Sequence, residues 1–154
     1  MDRQDKKILM MLQDNGRLTN QELADAIALS PSPCLRRVKL LEDQKIIRRY
    51  AALLDPETIG LHLTAMVSVG LDKHSPQKMR QFEIVIKKIP EVMQCYLVTG
   101  QAADYLLKVV VSSMKHYQKF LLEQITQIDG VASVHSSFVL QPIVDKTALP
   151  LDYA

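Results

Sequence analysis

Apolar positions change their period twice along the chain. Near the N-terminus Ile8, Leu9 and Leu12 recur at helical spacing, and Asp14-Asn15-Gly16 ends that run, with Gly16 read as a left-handed cap. Thr19 to Glu22 then has the pattern of a capping box, hydroxyl first and carboxylate three residues on. It opens a short helix that buries Leu23 and Ile27 and ends near Leu29. Ser30 is placed to cap a third helix, with Pro31 at its first position, where a missing N–H costs nothing. Three short helices with tight turns predict a helix-turn-helix.

The third helix separates its apolar and cationic residues. At about 100° per residue, Cys34, Leu35, Val38 and Leu41 gather on one face while Arg36 points away from them. Ser32 and Lys39 lie on one flank of Arg36 and Arg37 on the other. Leu40 also falls on the outer side, where it suits either a thymine methyl or a protein contact. The serine and prolines pre-order a helix start whose free N–H groups favour phosphate. The stretch 45–55, "KIIRRYAALLD", is rich in β formers and reads as a short strand or wing, with Arg48 and Arg49 reaching flanking phosphates. A plain amphipathic strand is the alternative.

From residue 62 the pattern becomes strand, helix, strand, and then repeats. Leu63, Ala65, Val67, Val69 and Leu71 alternate on one side of the first strand. Helical stripes follow at Met79, Phe82, Ile86 and Ile89, and again at Met114, Tyr117, Leu121, Ile125 and Ile128. "EVMQCYLVT" and "DYLLKVVV" read as antiparallel neighbours, and "VASVHSSFVLQ" as the last strand. The two halves echo each other, Ile89-x-x-Val92 matching Ile128-x-x-Val131. This order predicts a ferredoxin-like βαββαβ domain whose uncovered sheet face a second copy would close. The expected organisation is α+β: residues 1–54 a winged helix-turn-helix, 55–61 a linker, 62–142 the βαββαβ domain and 143–154 a tail.

Charge narrows the partner. The net charge is only +2 over 154 residues, but 30–50 hold Arg36, Arg37, Lys39, Lys45, Arg48 and Arg49 against Glu42 and Asp43 alone. A confined basic patch on a near-neutral chain suggests a confined anionic partner; a solvated surface is the plainer account. No apolar run approaches the ~20 residues of a membrane span, and the first residues lack a secretory pattern. The two cysteines, Cys34 and Cys95, read as free buried thiols of a reducing cytoplasm. Neither has a second ligand at metal spacing. His62, His74 and His116 have no partner at catalytic spacing, so no metal, cofactor or catalytic residue is expected.

Three stretches together resemble one family. "NGRLTNQELADAIALSPSPCLRRVKLLED", "VTGQAADYLLKVVV" and "SSFVLQPIVDKTALPL" are similar to the helix-turn-helix, glycine loop and last strand with tail of the Lrp/AsnC (feast/famine) transcription regulators. The resemblance covers nearly the whole chain. It implies a winged DNA-binding domain joined to a RAM domain, dimers formed through the sheets and often assembled four to a ring, and an amino-acid effector bound between dimers near the glycine loop. Double-stranded DNA is then the partner, met by Ser32, Arg36, Arg37 and Lys39, with Arg48 and Arg49 on phosphates and Arg36 placed for guanine. The effector would meet Thr99, Gly100, Gln101, Ala102, Ala103 and Asp104, facing His135 and Ser137. Backbone N–H groups of the loop suit its carboxylate and Asp104 its ammonium; Asp104 as a turn cap and His135 and Ser137 as structural residues are the plainer readings.

Two positions depart from the family pattern. Lys45 stands where a helix-ending glycine is usual, so it takes that turn at some strain or the helix ends differently. The glycine loop, Gly100 to Tyr105, is one residue longer than G-x-x-D-Y. The siroheme decarboxylases resemble the same architecture, but an enzyme of that kind needs a haem-sized pocket lined with histidines and cations. Outward Arg36 and Lys39 suit DNA better. A DNA-bending protein without an effector is the third reading.

Overall fold

In a computed structural model describing residues 1–100 and 103–153, the chain divides into two units. One comprises Met1–Leu53 with Ile143–Ala154, the other Leu54–Pro142. The last residues, set apart as a tail on sequence grounds, pack with the first unit, so the chain passes between units twice.

The first unit is built from α1 (Arg3–Asp14), α2 (Asn20–Ala26) and α3 (Pro31–Asp43). Asp2 caps α1, accepting from the Asp5 N–H while Asp5 Oδ2 accepts from the Asp2 N–H, both at 2.9 Å. The Thr19–Glu22 capping box forms as expected, with Thr19 N–H donating to Glu22 Oε2 at 2.7 Å. Ser30 takes the cap conformation at α3, but its side chain makes no capping bond. A cap side chain accepts from the second or third helical N–H, and Pro33 has removed the third.

Both α2 and α3 end in the same motif. Leu29 N–H donates to Ala24 O and Ala28 N–H to Asp25 O; Ile46 N–H donates to Leu41 O and Lys45 N–H to Glu42 O, at 2.9–3.2 Å. These are paired Schellman bonds, which place the intervening residue in the left-handed region. Ala28 (φ 56°) and Lys45 (φ 59°) occupy that position without being glycine. Gly16, the expected left-handed cap, does not adopt a positive φ; α1 ends at extended Asn15 instead. A Cβ at Gly16 would make ordinary van der Waals contact with the Tyr50 ring, at 3.4 Å.

Ile8, Leu9, Leu23, Ala24, Ile27, Cys34 and Leu41 form the core of this unit, with Val38, Ile47 and Leu151 packed at its edge. Leu35, expected on the inner face, is 43% exposed. It sits about 100° round the helix from Cys34, at the margin of the buried stripe. Residues 45–55 form no strand, correcting that reading of the wing. A strand needs a ladder partner, and the first unit has no other among its described residues.

The second unit runs β1 (Leu63–Leu71), α4 (Pro76–Ile86), β2 (Val92–Leu97), β3 (Tyr105–Val111), α5 (Met114–Phe120) and β4 (Val131–Phe138). The antiparallel sheet has order β2-β3-β1-β4, as the βαββαβ pattern requires. Val67, Val69, Leu107 and Val109 face Phe82, Ile86, Phe120 and Ile125 in one core. Met114, expected in the apolar stripe, is 54% exposed as the first residue of α5, and Cys95, expected to be buried, is exposed on β2 near the sheet edge. A π-helical turn, Leu121–Ile125, follows α5 and carries Gln124 to Glu91. On the opposite sheet face lie Met66, Lys108 and Val110, half-buried, and Tyr96, exposed.

Candidate nucleic-acid interface and effector loop

Arg36 and Lys39 are exposed on α3 and bond to no described residue. With Ser32, Leu35, Leu40 and Asp43 they line a shallow groove along the helix. Cys34 and Leu41 hold the opposite side in the core. The arrangement presents two free cationic donors and two aliphatic side chains on a single rigid face, the chemistry that reads base edges.

Arg37 behaves differently. It is half-buried, and its Nη1 donates to Asp2 Oδ2 and Asp5 Oδ1, each at 2.7 Å. Those bonds, Asp5 foremost, raise its already high pKa further. The Asp2 carboxyl is lowered, first by the Asp5 backbone N–H and then by Arg37. Arg37 thus clamps α3 to the start of α1, whereas Arg36 has no partner among the described residues.

Arg48 and Arg49 are exposed between two anchors. Ile47 packs against the core, and Tyr50 Oη donates to Glu42 Oε1 at 3.0 Å. Burial, then Glu42, pushes the Tyr50 hydroxyl up to about 12. The irregular segment is therefore held against α3 without a strand.

In the second unit Thr99 is exposed and Gly100 has φ 82°, with nothing within 4 Å of where a Cβ would lie. Gln101 and Ala102 lie outside the described residues. Ala103 is half-buried. Asp104 is bonded on both oxygens: Leu71 N–H donates to Oδ2 and His74 Nε2 pairs with Oδ1, each at 2.7 Å. His135 and Ser137 are exposed, and register pairs them with Ser68 and Met66 on the sheet face opposite the helices. His135 therefore shares a cross-strand row with Leu106, two residues from Asp104, and Ser137 lies one row further away.

Sequence reading missed Asp2, Asp5, Tyr50 and His74. The first two carried a signal, an acid at each end of a four-residue N-terminal box. The contacts of Tyr50 and His74 arise across turns whose closure periodicity does not encode.

A helix-turn-helix with an outward cationic face, joined to a ferredoxin-like unit, defines a two-unit DNA-binding protein. Residues 1–48 match the model of a winged helix-turn-helix DNA-binding domain and 64–149 that of the Lrp/AsnC ligand binding domain. The chain is 42% identical to the Bkd operon transcriptional regulator of Pseudomonas aeruginosa, covering 98% of each. It is 39% identical to the DNA-binding transcriptional activator DecR of Escherichia coli, covering 99% of each. A Neisseria meningitidis transcriptional regulator, crystallised as its L-Met complex, superposes with a TM-score of 0.95 at 45% identity, covering 99% of this chain and 98% of that one. The chain belongs to the Lrp/AsnC family of transcriptional regulators. No helix among the described residues is long and apolar enough to cross a membrane.

Proposed function

We propose that α3 lies in the DNA major groove, with Arg36 and Lys39 at base edges, Ser32 near the backbone, and Arg48 and Arg49 on flanking phosphates. The observation carrying this is the free guanidinium of Arg36, exposed on a helix otherwise tied down by Cys34, Leu41 and Arg37. Arg37 acts through the clamp to α1 more than through DNA. Selection from a random duplex pool tests the assignment. The parent enriches a defined site, and Arg36→Ala enriches a degenerate one; an unchanged site removes α3 from the groove.

The second unit takes an amino acid at the Thr99–Asp104 loop, with His135 and Ser137 nearby. The L-Met bound to the meningococcal relative supports this class of ligand, and the open backbone at Gly100 suits a carboxylate. An incoming ammonium reaches Asp104 Oδ1 by displacing His74. Two copies pair through the sheet face bearing Met66, Val110 and Tyr96, and dimers assemble further, to an octamer where the family pattern holds. The working compartment is the cytoplasm, where the DNA lies, and the protein catalyses no reaction. Calorimetry against the amino acids, L-methionine first, tests the effector; incubation with a tetrapyrrole, giving no bound visible band, tests the absence of decarboxylase chemistry.

A further inference from the structure

We infer that Leu40 reads the 5-methyl group of a thymine lying within two base pairs of the guanine contacted by Arg36. The inference rests on the major-groove assignment of α3 and extends it to the base. Leu40 is 50% exposed on the outer face of α3, whereas its neighbour Leu41 is 3% exposed. It lies about 40° round from Arg36 and one turn further along, so the two side chains share the same groove face.

Charge argues for DNA as what covers this leucine. Arg36 and Lys39 have no internal counter-ion among the described residues, and unpaired buried cations are costly, so whatever covers the groove must bring acceptors for both. DNA supplies guanine acceptors and phosphates for both. The thymine methyl is the apolar feature of the major groove. Residues one helical turn apart are about 6 Å apart along the axis, slightly less than two base steps of about 3.4 Å. That spacing links the methyl contact to the guanine contact. Asp43 closes the far end of the same groove, where a carboxylate repels phosphate and accepts from a cytosine amino group.

The test uses the full chain and a duplex selected from a random pool, resynthesised with deoxyuridine replacing thymidine one position at a time. Uracil removes the methyl and keeps every hydrogen-bonding group. One substitution near the selected guanine should weaken binding about three- to fivefold, the value of one buried methyl-sized group. Leu40→Ala should bind the thymidine duplex with that same loss and no longer distinguish the two bases there, while still preferring guanine. Leu40 is exposed, so its truncation leaves the fold intact; circular dichroism checks this. Equal binding to every deoxyuridine duplex, or discrimination retained by Leu40→Ala, overturns the methyl contact and leaves the regulator reading in place. A pool that never enriches overturns both.

Discussion

Arg37 reaches from α3 to Asp5 of α1, Nη1 to Oδ1 at 2.7 Å, while its sequence neighbour Arg36 bonds to no described residue. Of two adjacent arginines, one is thus tied into the fold and the other is left free for an outside partner. Arg36→Ala should leave the melting temperature unchanged and broaden the selected site. Arg37→Ala should lower the melting temperature by no more than a few degrees, because the clamp is only half-buried and water still screens it, and weaken binding to all sequences alike. Melting curves and mobility shifts on specific and scrambled duplexes separate the two. Broadened specificity from Arg37→Ala would place that residue at the bases too.

Lys45 holds a left-handed turn at φ 59° that glycine adopts freely. The Schellman bonds around it enforce this conformation, and a side chain there costs about 1–2 kcal/mol. Lys45→Gly should therefore stabilise the first unit by about 1 kcal/mol after the added unfolded-state entropy of glycine. Denaturant midpoints read the gain. A loss would mean that the Lys45 side chain contributes more than its backbone strain costs.

These two positions show where sequence reading succeeds and where it stops. The glycine expected at position 45 by resemblance located the strained turn correctly, because helix termination is a local, hydrogen-bonded event. The βαββαβ order and the alternating face of β1 were legible for the same reason: period two and period 3.6 each reflect one buried side. Gly16 was misread because α1 ends one residue earlier, at extended Asn15, and calls for no left-handed residue there. Arg37 was placed on the right side of α3, but its partners sit on another helix. The strand expected at 45–55 failed because β propensity describes a fit to a sheet, and the first unit has no sheet among its described residues.

Glu91 offers a pH signature in the second unit. Burial alone would raise its carboxyl, but its own backbone N–H and the side chains of His116 and Gln124 hold it below the ordinary 4.5. The two side-chain bonds are 3.1 and 3.4 Å. A carboxyl lowered in the folded state contributes stability that is fully present above the unfolded value and disappears as pH falls through the folded one. Stability of the native chain should thus drop below pH 4.5, and Glu91→Gln should drop less over the same interval. Parallel acid titrations of the two proteins would exclude this role for Glu91.

His74 occupies the oxygen of Asp104 that an amino-acid ammonium would use, at 2.7 Å. His74 is 72% exposed, so its removal should leave the fold undisturbed. His74→Ala frees Oδ1 while the Leu71 N–H keeps Oδ2 in place. Amino-acid affinity measured by calorimetry should rise severalfold, and Asp104→Ala should abolish the gain. Identical affinities in parent and His74→Ala would remove Asp104 from the ligand's contacts.

The C-terminal residues complete the helix-turn-helix unit. Gln13 Nε2 donates to Leu149 O at 3.2 Å, and Leu149 N–H donates to Gln13 Oε1 at 2.6 Å, so one side-chain amide pairs with a backbone as a strand would. Leu151 then packs against the core formed by Ile8, Leu9 and Leu41. Partial burial of one leucine and two exposed hydrogen bonds amount to about 1–2 kcal/mol. Truncation after Asp145 should release that stabilisation from the first unit alone. Hydrogen exchange should quicken in α1 amides by about tenfold, since 1.4 kcal/mol is a factor of ten, while β1 and β3 amides keep their protection. Gln13→Ala should show a smaller change with the same distribution. Equal acceleration in both units would mean that the tail supports the whole chain, and unchanged α1 protection would reduce the Gln13–Leu149 pairing to a contact without energetic weight.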